Sequence, residues 1–176
     1  MTEIIRRAKR DDLDNLALVG SATFLETFAG ILDGNAIVAH CAREHNVATY
    51  ARHLDEGATA WLAESRLGSA PVGYALLSKA TLPGADENDL ELKRIYVLSR
   101  FHGRQLGAAL MNASVAHAET MNASRLLLGV YAGNHRAIAF YGKAGFKQIG
   151  TRRFLVGDRE YDDVVFARPL AMVAKP

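Results

Sequence analysis

The spacing of hydrophobic positions changes repeatedly along this chain, and each change predicts an element. Ile4 to Ala8 reads as a first strand. Asp11 or Asp12 can cap a helix running to about Ala29, and a second helical region spans roughly Asn35 to Leu54. Strand-like runs follow at Thr59–Glu64 and Val72–Ser78, the latter entered through Pro71-Val72-Gly73. The polar loop from Leu82 to Asp89 leads into a fourth strand that ends in Ile95-Tyr96-Val97. Leu106, Ala109, Leu110, Ala113 and His117 then recur at the spacing of one helix face. Leu126 to Val130 is apolar throughout, as in a buried strand. Gly133 breaks it, Asn134 is a good N-cap, and Ala137 to Lys143 is helical until Gly145 stops it. Lys147–Val156 and Glu160–Ala167 supply two last strands, joined by the turn Val156-Gly157-Asp158. The order βααβββαβαββ predicts an α/β fold of mixed α+β type. It has a central mixed, twisted sheet of about six or seven strands, flanked by about four helices.

Chemistry concentrates where the fourth strand turns into the next helix. The stretch ELKRIYVLSRFHGRQLGAA, Glu91 to Ala109, carries Lys93, Arg94, Arg100, His102 and Arg104, and no acid interrupts from Leu92 to Ala118. A helix N-terminus presents unpartnered amides and partial positive charge, so this turn suits an anionic group such as phosphate. Gly103 and Gly107 either let a ligand approach the backbone, or serve only a turn and helix-to-strand packing. The patterns G-x-G-x-x-G and G-x-x-x-x-G-K-[ST] are both absent, which argues against the two commonest nucleotide cradles. About thirty residues on, Asn134 and Tyr141 lie seven positions apart, about two helical turns at ~3.6 residues per turn, so both face the same way. Taken alone, Tyr141 reads equally as a half-buried core aromatic with its hydroxyl satisfied.

Together these two segments resemble the GNAT superfamily of acetyl-CoA-dependent N-acetyltransferases, over roughly Ala70 to Leu170. The family's N-x-x-A-x-x-x-Y-x-x-x-G-F pattern is met by Asn134, Ala137, Tyr141, Gly145 and Phe146. Its pyrophosphate turn Q/R-x-x-G-x-G/A is met less closely. In register with Val97, His102 replaces Gln or Arg, Gln105 replaces the first Gly, and Gly107 is retained; two residues on, Arg104, Gly107 and Ala109 match the letters. The resemblance implies a GNAT-like fold with acetyl-CoA as co-substrate. Coenzyme would lie along Ile95, Tyr96 and Val97, its pyrophosphate on His102, Gly103, Arg104, Gln105, Leu106, Gly107 and Ala108, with Asn134 and Tyr141 beside it. It also implies catalytic roles: Tyr141 as general acid or thiolate stabiliser, and Glu91 as the base. Some family members carry a glutamate base at that place, six residues before Val97, although a strand glutamate pointing into water is the other reading.

The segment Ala22 to Phe28 further resembles the PaiA-like, polyamine acetyltransferase branch, against which stands an ordinary amphipathic helix with Phe24 and Phe28 at i, i+4. Acidic clusters at Asp86, Glu87, Asp89 and Glu91, and at Asp158, Glu160, Asp162 and Asp163, suit a cationic acceptor as well as they suit plain solvation. The acceptor class is therefore a primary amine of a small molecule, polyamine-like or otherwise cationic, or a protein N-terminus or lysine. An acyl-CoA-binding or regulatory module without catalysis is the alternative from another class.

Composition bounds these expectations without changing them. A length of 176 residues, 49% hydrophobic, predicts one domain, residues 1–176, with substrate-side helices in 1–57 and the coenzyme-binding core in 58–170. A net charge of +2 gives no reason to expect nucleic acid as a partner. No apolar run approaches the ~18 residues of a membrane span, and MTEIIRRAKRDD lacks the apolar centre of a signal peptide. With Cys41 as the single cysteine, a cytoplasmic location is expected. Cys41 and His45, with His40 and His53 near, do not compose a zinc site, so no metal is expected. A homodimer stays among the allowed assemblies.

Overall fold

The computed structural model describes residues 3–156 and 159–171. Gly157 and Asp158 of the expected last turn lie outside them. The elements are β1 (Ile4–Arg7), α1 (Leu13–Phe28), α2 (Gly34–Glu44), α3 (Val47–Asp55), β2 (Thr59–Glu64), β3 (Pro71–Lys79), β4 (Leu90–Val97), α4 (Leu106–Thr120), β5 (Arg125–Tyr131), α5 (His135–Lys143), β6 (Lys147–Val156) and β7 (Arg159–Pro169). The strands form one sheet of order β1-β2-β3-β4-β5-β7-β6. Among the described residues, no helix is long and apolar enough to cross a membrane.

The helical region expected as one piece from Asn35 to Leu54 is two helices, so the described residues hold five α-helices rather than about four. Asn46 is the cause. Its Nδ2 donates to Ala42 O (2.7 Å) and Arg43 O (2.9 Å), closing the last carbonyls of α2, while its Oδ1 accepts from Thr49 N (2.8 Å) and opens α3. A short amide side chain that meets orphan groups on both sides competes with the helix ladder.

Both sheet faces are covered, because central strands such as β2 and β3 carry buried residues on both sides. One face packs Leu77, Leu92, Leu126 and Leu128 against Leu106, Leu110 and Met111 of α4. The other packs Leu62, Tyr74 and Leu76 against Leu16 and Val19 of α1 and Tyr50 of α3.

One junction in the sheet is incomplete. Adjacent strands are antiparallel except β4 and β5, which run parallel and pair only at Leu90 with Leu126 and Glu91 with Leu127. Beyond those two pairs β4 continues to Val97 and β5 to Tyr131 without pairing, so the sheet opens into a wedge. On its other side β4 pairs with β3 throughout, except for a bulge that leaves Lys93 without a partner between Leu92 and Arg94. A bulge adds local twist, which turns the end of β4 away from its neighbour.

Candidate active site

A cavity of about 850 Å³ occupies the wedge, lined by Ile95, Tyr96 and Val97 of β4, the start of α4, and Asn134, Arg136 and Tyr141 of α5. Volume of this order suits a cofactor-sized ligand.

The turn entering α4 is shaped to present amides. Gly103 (φ 81°) and Gln105 (φ 62°) are both left-handed, a conformation that favours glycine and that Gln105 adopts as the residue before the helix. The side chains of Asp33, Asn46 and Asn134 cap α2, α3 and α5, but α4 has no such cap. Among the described residues, none of the amides from Gly103 to Ala108 donates to an acceptor. Consecutive unpaired amides at a helix start favour an anion.

The side chains around this turn are arranged differently from the expectation. His102 Nε2 donates to Val97 O (2.7 Å) and its Nδ1 accepts from Arg136 Nη1 (2.5 Å), which fixes the tautomer and holds Arg136 at the cavity mouth. Arg104 turns its side chain to Glu3 (2.6 Å) and lies over the ring of Phe101, so it contributes its backbone. Lys93 stands 3.6 Å from Glu91, and the buried guanidinium of Arg94 pairs with Glu44 on the α1–α3 face (3.1 Å). Arg136 is the residue the sequence reading missed. A signal existed: a cation in the first turn of a helix opposes the macrodipole and calls for an anionic partner nearby.

Asn134 accepts from Ala137 N (3.1 Å), so its side chain fixes the start of α5. Tyr141 is 8% exposed and packs against the rings of Phe140 (5.4 Å) and Phe146 (6.0 Å). Its hydroxyl has no hydrogen-bond partner among the described residues, and burial pushes its pKa well up, with Tyr96 nearby adding to the shift. Tyr141 therefore keeps its proton at neutral pH. Glu91 is buried, and its Oε2 accepts from Thr81 N (3.0 Å) and Thr81 Oγ1 (3.1 Å).

The α1–α3 side of the cavity is aromatic. Phe24 lies 4.6 Å from Phe28 and stacks on His40 at 4.1 Å. His45 Nδ1 meets the hydroxyl of Tyr50 (3.0 Å). Burial lowers His40 to about 4 and His45 to about 3, so both rings are neutral. The unfolded chain takes up these protons near pH 6.5, so the stability of the neutral rings is complete above that value and is lost as pH falls toward about 4. Asp12, held by Arg6 at about 2, acts only at lower pH. Thermal melts between pH 7 and 4.5 should show a falling midpoint, and His40→Gln should flatten the slope. A pH-independent midpoint in the parent protein contradicts buried neutral histidines.

Residues 21–146 match the profile of the Acetyltransferase (GNAT) family. An uncharacterized N-acetyltransferase of Mycobacterium tuberculosis is 35% identical over 159 residues, across 90% of this chain and 98% of the relative. The crystal structure of PaiA N-acetyltransferase from Thermoplasma acidophilum in complex with coenzyme A has a TM-score of 0.79 at 20% identity, over 96% of this chain and 99% of that one. A GCN5-related N-acetyltransferase structure from Rhodopseudomonas palustris gives 0.75 at 19%, over 97% of each. Identities this low speak for the fold. The family match over most of the chain and the near full-length relative go further: this protein belongs to the GNAT family of acetyl-CoA-dependent N-acetyltransferases.

Proposed function

We propose that this protein transfers the acetyl group of acetyl-CoA to a primary amine by direct attack in a ternary complex. The observation that carries this is the wedge between β4 and β5, with a row of unpaired amides at its mouth and a protonated phenol inside. Acetyl-CoA supplies the activated thioester. The amides of Gly103 to Ala108 and the side chain of Arg136 hold the pyrophosphate. Ile95, Tyr96 and Val97 offer the backbone edge left free by β5 to align the pantetheine arm. Tyr141 donates to the sulfur as the thiolate departs. A phenol near pKa 10 transfers its proton to a thiolate near 8.5 only uphill, and burial of Tyr141 makes that steeper, so a hydrogen bond to developing charge is its main contribution.

The amine attacks as the neutral base, so an ammonium near pKa 10.4 must first give up a proton. Two buried carboxylates line the cavity, Glu91 and Asp163. If Glu91 is the acceptor, Glu91→Gln lowers turnover most at low pH, with partial recovery as the free amine fraction rises. An unchanged pH–rate profile, with a lower melting temperature from the lost Thr81 contacts, assigns Glu91 to anchoring the loop instead.

The direct test is thiol release from acetyl-CoA in the presence of a panel of amines. Release that depends on the amine is expected. Tight coenzyme A binding without release from any amine would make this an acyl-CoA-binding module.

A further inference from the structure

We propose that the acceptor carries one cationic nitrogen on a flat, apolar body, and that the nitrogen is held by Asp163. This rests on the acetyl-transfer reading and names its substrate class.

The acidic groups of the cavity decide the charge of the ligand. Glu26 accepts from Ser99 N (2.8 Å) and Ser99 Oγ (2.6 Å). Glu44 is paired with Arg94 (3.1 Å) and Arg43 (3.0 Å), and Glu91 is taken up by Thr81 and Lys93. Asp163 differs. Its Oδ2 accepts from Arg152 Nε (3.1 Å), while its Oδ1 has no partner among the described residues, although the residue is only 5% exposed and lines the cavity. A carboxylate oxygen without a donor, on a largely buried residue that lines a cavity, favours a cation. A second ammonium on the same ligand would instead meet Arg43, Arg94 or Arg152, each of which also lines the cavity.

The carboxylate is well placed. Asp163 is opposite Tyr131 of β5 and Arg152 of β6 in the sheet register, at the end of the wedge where β5 is free of β4. Arg152 reaches Asp163 by lying over Gly129 of β5, where a Cβ would come within 2.9 Å of its Nη2. Glycine at 129 thus lets the ion pair sit flat on the strand, and any side chain there would displace it.

The remaining walls decide the body. Phe24 and the neutral ring of His40 stack, Phe154 meets His40 edge-on (6.1 Å), and Tyr161 meets Tyr131 edge-on (6.2 Å). Aromatic faces and edges of this kind fit a flat apolar group and give an extended polycation few hydrogen-bond acceptors.

Calorimetry on the coenzyme A-loaded protein tests the class, with 2-phenylethylamine and spermidine as probes. We expect 2-phenylethylamine to bind at least tenfold tighter than spermidine. Asp163→Asn should weaken it at least tenfold with coenzyme A affinity within twofold of the parent. Phe154→Ala, which keeps both charges of the ion pair but removes the aromatic ring beneath Arg152, should weaken it as well. Spermidine binding equal to or tighter than 2-phenylethylamine in the parent protein overturns the proposal, whatever the variants do. If coenzyme A does not bind, the same comparison is made on the free protein. Thiol release from acetyl-CoA, measured in parallel, keeps the two readings apart. Preferential turnover of spermidine sinks the acceptor class alone, and amine binding without any turnover sinks the transfer reading alone.

Discussion

Gly107→Glu should weaken coenzyme A binding at least a hundredfold while the protein stays folded. Gly107 is the second residue of α4, among the amides that lack acceptors. A Cβ there would meet only the ring of Phe140, at 3.7 and 3.8 Å, which is ordinary contact, so size alone is tolerated. The added carboxylate is the damaging element, because it answers the free amides itself and repels a diphosphate from the same place. A hundredfold loss corresponds to about 2.7 kcal/mol, within reach of one repulsion plus lost charge-assisted hydrogen bonds. Gly107→Ala and Gly107→Gln separate volume from charge and should bind coenzyme A nearly as the parent does. Isothermal titration decides it. A folded Gly107→Glu protein with unchanged affinity places the pyrophosphate elsewhere.

Tyr141→Phe should slow the chemical step roughly a hundredfold, with little change in coenzyme A affinity or melting temperature. The ring is buried between Phe140 and Phe146, and phenylalanine preserves that packing. The hydroxyl has no protein partner among the described residues to lose, so its removal costs the fold little, and burial keeps it protonated and able to donate. On the proposed mechanism its work is confined to the moment when charge develops on the sulfur. Single-turnover rate and melting temperature on the same variant distinguish this from a core role. A protein that is less stable but equally fast would remove Tyr141 from the mechanism.

Much of this site was legible because the groups that build it are close in sequence. The strand ending at Val97, the turn at Gly103 and the helix beginning at Leu106 follow within a few residues, so the amides of that turn could be located from spacing alone. Asn134 and Tyr141 share a helix face for the same reason, and Asn134 caps α5 as its residue type demands. The basic residues of the turn were harder to place. Lys93 is the bulged residue of β4 and Arg94 follows it, a break in register that depends on pairing with β3, and Arg104 is claimed by Glu3, about a hundred residues away.

Sequence periodicity and turn chemistry by themselves determined the order of the strands, the mixed sheet with helices on both faces, and the place of the turn that enters α4. Each of these depends on residues within one or two turns of each other. Tertiary structure alone decided that β4 and β5 part after two pairs, that Arg136 rather than Arg104 faces the cavity, and that Asp163 keeps an unpartnered oxygen while its partner Arg152 lies over Gly129. Register, side-chain competition for partners and burial settle those points, and all three depend on segments that only folding brings together.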